Sequence, residues 1–156
     1  TGIQSGVIQV KSATKHDTSS YSVSQTFTDI AGLSVTITPT STSNKILVMY
    51  NVQIQGQDGQ RGGLRITRNG SAVGRADASG SRQRMSSIYE AHSEEGAFTL
   101  SAAYLDDIDN TNATTYKVQF HHENATDVKV NRGWVDGNDV DKYHGTSNIT
   151  VMEVLA

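Results

Sequence analysis

From Lys45 to Ile54 the chain reads KILVMYNVQI, with Ile46, Val48, Tyr50, Val52 and Ile54 at every second position. Side chains alternate across a strand and spiral around a helix. This spacing therefore puts five apolar residues on one strand face. Leu47 and Met49 make the opposite face apolar over the first half, so that half requires cover on both sides.

The same period recurs along the chain, and no segment carries a helical apolar stripe. Strands are expected at Val7 to Val10, Tyr21 to Phe27, Leu33 to Ile37, Met85 to Tyr89, Phe98 to Leu105, Thr115 to His121 and Val128 to Asn131. Pro39 ends the third of these, because proline donates no ladder hydrogen bond. Leu64 to Arg68 and Ala72 to Ala76 flank Asn69-Gly70, and a type I′ turn needs positive φ at both central residues. A two-residue loop there pairs Arg68 with Ser71 and sets Ile66 opposite Val73. The final run, Asn148 to Leu155, places Ile149, Val151 and Leu155 on one side with Glu153 between, and Met152 and Val154 on the other. It too requires cover on both faces.

About ten short antiparallel strands without a helix predict an all-β, two-sheet sandwich, with a jelly roll as the preferred arrangement. The 156 residues suit a single domain over 1–156. Only 35% of residues are hydrophobic, so the core is thin, and two strands with surplus apolar faces predict a homotrimer.

With 13 basic and 16 acidic residues the net charge is −3, which argues against a nucleic-acid partner, since such domains carry a basic stripe. Arg61, Arg65, Arg68, Arg75, Arg82 and Arg84 form one basic stretch, read as solvated strand and loop charge. Cysteine is absent, which excludes disulfides and thiolate chemistry. No apolar run reaches the ~20 residues of a membrane helix, so no membrane insertion is expected.

No nucleophile elbow, phosphate loop or dinucleotide fingerprint occurs, and no enzymatic activity is expected. His122-Glu123 opens like a zinc-protease motif, but Thr126 stands where the second histidine belongs. Adjacent His121 and His122 point to opposite faces of a strand, one expected partly buried and the other exposed. Two acidic clusters suggest calcium, namely Asp106, Asp107 and Asp109 with Asn110, and Asp136, Asp139 and Asp141 with Asn138. Neither keeps the spacing of a calcium loop, ordinary turns explain both, and no cofactor is assigned. The long polar segment before the last strand gathers Arg132, Trp134, Asp136, Asn138, Tyr143 and His144. An exposed aromatic ring there offers a face to a sugar or a protein, so these six are the candidate receptor-binding residues. Trp134 has packing as its alternative role.

Several stretches in order carry a resemblance. They are Phe27-Thr28-Asp29-Ile30-Ala31-Gly32-Leu33-Ser34-Val35-Thr36-Ile37-Thr38-Pro39, Ser41-Thr42-Ser43-Asn44-Lys45-Ile46-Leu47-Val48, Leu64 to Gly70, Thr115 to Val118, Val130-Asn131-Arg132 and Ile149 to Val154. Together they resemble a domain of tail-fibre-like and other virion surface proteins of tailed phages, marine ones especially. The resemblance implies a trimeric structural protein on the virion surface, assembled in the host cytoplasm alongside other virion proteins. It transfers no site residue. A fibre or spike head that binds a host-surface glycan or protein is the expected function, and a capsid-decorating or cement protein is the alternative. The chain begins with Thr1, which suits the C-terminal part of a longer fibre protein.

Overall fold

The computed structural model describes residues 6–22, 25–93, 96–124 and 127–155. Within them eleven strands, and no helix, form two antiparallel sheets. The first sheet holds β1 (Val7–Lys15), β2 (Ser19–Ser22), β4 (Lys45–Gln55), β8 (Phe98–Asp107), β10 (Asp127–Val130) and β11 (Ser147–Val154). The second holds β3 (Thr28–Ile37), β5 (Arg61–Arg68), β6 (Ser71–Val73), β7 (Ser87–Glu90) and β9 (Thr114–His122).

Three strand positions are interrupted. β10 and β11 share one edge of β4, β1 and β2 continue that row by pairing with β11 and β10, and β6 and β7 share one edge of β5. Counting each interrupted strand once, the first sheet runs one-eight-three-six and the second two-seven-four-five. The interruptions release two long excursions, residues 74–86 between β6 and β7 and residues 131–146 between β10 and β11.

The core lies between the sheets, where period-two patterning puts it. Ile46, Val48, Tyr50, Val52 and Ile54 of β4 are buried with Ile149 and Val151 of β11, facing Leu64, Ile66, Tyr116, Val118 and Phe120 across the sandwich. Two buried carboxylates within this core are paired, as burial demands. Tyr116 donates its hydroxyl proton to Asp106 Oδ2 at 2.6 Å, and Arg68 reaches both oxygens of the same carboxylate at 3.2 Å.

Glu153, wholly buried on the inward face of β11, is the second polar junction. Its Oε2 accepts from Gln9 Nε2 at 2.6 Å, and its Oε1 accepts from Thr40 N, Thr40 Oγ1 and Asn44 Nδ2, each at 2.7 Å. One carboxylate thus ties β1, β11 and the β3–β4 connection together. Burial alone would push its carboxyl up, but the bonds from Gln9, Asn44 and Thr40 outweigh burial and hold it at about 2.

The outer face of the first sheet is different. Val10, Met152, Leu47 and Leu105 stand directly opposite one another across β1, β11, β4 and β8. Thr150, Met49 and Ala103 form the next row, and Val7, Val154, Lys45 and Asp107 the one beyond. Val10 is 52% exposed and Leu105 47%. The double cover expected for β4 and β11 is therefore absent within a single chain. The row ends in a Lys45–Asp107 ion pair at 2.8 Å.

The Asn-Gly hairpin has the expected register, with Ile66 opposite Val73, Arg68 opposite Ser71, and φ of 48° and 85° at Asn69 and Gly70. Other expectations are corrected. The alternation of Tyr21 to Phe27 is not one strand: β2 ends at Ser22, Gln25 turns with φ 47°, and β3 starts at Thr28, while Val23 lies outside the described residues. The strand expected to run to Ala76 stops at Val73, because Gly74 adopts φ 55°. Neither His121 nor His122 is exposed. The His121 ring lies 4.9 Å from Phe27, and that of His122 turns inward toward Tyr89.

Candidate functional site

The 131–146 excursion is clamped at its base by Asn131. This residue sits at φ 63°, a left-handed conformation that asparagine tolerates better than most. It is fully buried, and every polar group it has is used. Its N–H donates to Gln53 O at 3.0 Å and its carbonyl accepts from Gly145 N at 2.9 Å. Its Nδ2 donates to Lys15 O at 2.9 Å and Asp17 O at 2.8 Å, and its Oδ1 accepts from Ser147 Oγ at 2.5 Å. Both ends of the excursion and the β1–β2 break therefore meet at one side chain.

Above the clamp, the structure joins three of the six candidate residues directly. Arg132 and His144 form a backbone bridge, and both side chains hold Asp136. Arg132 Nη1 donates to Oδ2 at 2.8 Å, while His144 Nε2 lies 3.2 Å from Oδ1. The bond to His144, reinforced by the Arg132 charge, keeps the Asp136 carboxyl below the usual carboxylate range. Arg132 also donates to Ser20 Oγ at 2.9 Å, fastening the excursion to β2.

Trp134 lies over the outer face of β10, with Lys129 Nζ 4.7 Å from its ring centroid. That ammonium also pairs with Asp127 at 2.8 Å, so Trp134 is half-buried packing with one cation–π contact. Tyr143 is different, being 78% exposed. With His144, Gln53, Gly133 and Gly145 it borders a shallow cleft of about 250 Å³ on the outer face of the first sheet. Asn138 is exposed and lies apart from this cleft. The site thus offers an aromatic ring, an imidazole and an amide in one concavity, the elements that bind a polar ligand by stacking and hydrogen bonding.

The acidic clusters have other partners. Asp106 is held by Tyr116 and Arg68, Asp107 by Lys45, Asp109 by Asn110, and Asp136 by Arg132 and His144. Asp141 lies 3.9 Å from Lys142, and Asp139 accepts from the Lys142 N–H through its backbone carbonyl. Among the described residues no three His, Asp or Glu side chains converge on a point where an ion could sit. The arginines likewise divide. Arg61 and Arg68 are in ion pairs, Arg65 covers the Phe27 ring with its guanidinium 3.4 Å from the centroid, and Arg84 donates to Ala76 O.

A larger concavity, about 670 Å³, lies on the second sheet beside β7, between the 74–86 excursion and the ends of β5 and β9. Arg61, Arg82, Met85, Ile88, Tyr89 and Glu123 contribute to it. No motif marks this group, because its members are spread over more than 60 residues of chain. The one local signal is Gly62-Gly63: a Cβ on Gly62 would strike the His121 carbonyl at 2.7 Å and the Tyr89 ring at 2.8 Å. The sequence matches no family model, and no curated protein matches it.

Proposed function

We propose that this chain is a jelly-roll domain of a tailed-phage virion surface, a homotrimeric fibre or spike head that binds a host-surface receptor rather than catalysing a reaction. Support for the jelly roll comes from the strand order, since one-eight-three-six against two-seven-four-five is what two nested Greek keys produce. Viral capsid proteins and lectins both use that architecture. Fold alone does not carry function, so the weight rests on surfaces.

The observation that carries the reading is the apolar row Val10, Met152, Leu47 and Leu105. Four strands spaced ~4.8 Å apart, with Met49 and Ala103 in one flanking row and Val7 and Val154 in the other, form a contiguous apolar patch rather than scattered exposed residues. Its one charged border is a self-neutralised pair, Lys45–Asp107, so identical faces meet without like charges opposed. Trimerisation through this face leaves the Tyr143 cleft, set in the excursion above it, as a receptor contact.

Light scattering tests the assembly. Three chains of 16.8 kDa are expected at micromolar concentration, and Leu105→Glu, on the edge strand β8, is expected to give monomers with unchanged strand content. A monomeric wild type overturns the trimer. One observation favours capsid decoration as a second reading: β1 exposes Val7 and Ile8 besides Val10, an edge suited to docking on another virion protein. Saturable binding to empty capsids, together with no adsorption to bacterial surface polysaccharide, selects that reading.

A further inference from the structure

The concavity beside β7 combines features that select one ligand chemistry. Met85 and Ile88 give it an apolar lining, and Ile88 is 76% exposed within it. Around that lining stand donors and acceptors of both kinds. Arg61 pairs with Glu90 at 3.1 Å, and Glu123 Oε1 accepts the Arg61 N–H at 2.7 Å. Arg82 bonds only Ser79, through Nη1, and makes no ion pair among the described residues. Tyr89 turns the other way, its ring stacked on Phe98 inside the sandwich, so Ile88 is the β7 side chain that faces the cavity.

A phosphate or sulfate requires a surplus of cations, whereas here Arg61 and Arg82 are balanced in number by Glu90 and Glu123. A lipid chain gains nothing from a charged rim. A sugar ring fits both halves, with a C–H face for the apolar lining and hydroxyls that donate to glutamate and accept from arginine. The volume is within the range of small-ligand sites, about 300–1,000 Å³. We infer that this cavity is a carbohydrate subsite for neutral hexoses or hexosamines, with Arg82 and Glu123 binding ring hydroxyls and Ile88 and Met85 lying under the sugar's C–H face. The inference rests on the receptor-binding reading and moves the sugar from the Tyr143 cleft to the second sheet, the sheet that does not carry the apolar row.

Saturation-transfer NMR on the full chain tests it, with glucose, galactose, N-acetylglucosamine and glucuronate as probes. At least one neutral sugar is expected to bind, with glucuronate weaker. Arg82→Ala, on the exposed excursion, is expected to weaken binding about tenfold. Ile88→Ser should weaken it several-fold without lowering the melting temperature, since Ile88 is 76% exposed in the lining. Val140→Ser, at the fully exposed tip of the other excursion, should leave sugar binding unchanged. Loss of the signal in Tyr143→Ala with retention in both cavity variants overturns the assignment. Adsorption to immobilised bacterial polysaccharide by wild type and cavity variants alike also overturns it, while leaving receptor binding in place. Silence of the wild type with every sugar and polysaccharide removes both readings.

Discussion

Replacing Glu153 by Gln keeps the shape of the side chain and removes its charge. The carboxyl is held at about 2 in the folded protein against an ordinary 4.5, and each pKa unit is worth about 1.4 kcal/mol. The full difference is about 3.5 kcal/mol, which the bonds from Thr40 and Asn44 that a glutamine oxygen keeps trim to about 2 kcal/mol. The contacts give the same order. A glutamine oxygen still receives Thr40 and Asn44, but its amide then faces the Gln9 amide, which must flip and abandon its 2.8 Å bond to Thr38 O. Because the folded value is depressed, the stabilisation is complete above about pH 4.5 and is lost as pH falls toward 2. Glu153→Gln is therefore expected to melt about 4–8 °C below wild type at pH 7, at matched protein concentration. The gap should close progressively between pH 5 and pH 2. Equal melting at pH 7, or a gap that does not change with pH, refutes the assignment of this carboxylate as the junction of β1, β11 and the β3–β4 connection.

Asn131→Ala removes three side-chain hydrogen bonds and leaves an unfavoured φ, and is expected to cost about 3 kcal/mol in urea unfolding. Asn131→Gly relieves only the backbone, so it should recover less than about 1 kcal/mol of that loss. Trp134→Ala and Tyr143→Ala should separate packing from binding. The first should lower stability by about 1–2 kcal/mol through the lost cover of Lys129, while the second should stay within about 0.5 kcal/mol of wild type and weaken adsorption to whole host cells.

The parts of the fold that were legible in sequence are those written in short range. Asn69-Gly70 fixes its own hairpin because both conformations are local, and β4 announces its inward face by alternation that extends over the whole strand. Tyr21 to Phe27 misled for the complementary reason: its alternation continues through a left-handed turn at Gln25, which periodicity does not register. The interruptions in three strands were invisible because they are defined by the neighbour that two segments share. Of the candidate site, the Arg132, Asp136 and His144 contact was accessible from proximity in the chain. The role of Asn131 was not, since its partners are Lys15, Asp17, Gln53, Gly145 and Ser147. The histidine pair was half-read: opposite faces follow from strand geometry, but Phe27 closing over His121 depends on a segment more than 90 residues earlier.

The clamp at Asn131 separates two kinds of sequence freedom. Residues 137–143 hang outside the Asn131, Arg132, Asp136 and His144 contacts, and Val140 at their tip is fully solvent-facing. Substitutions in this tip leave strand register untouched, whereas a change at the asparagine below it would loosen the ends of β1 and β11 together. A peptide spliced between Gly137 and Tyr143 would inherit the same tolerance, which makes the excursion a natural display position.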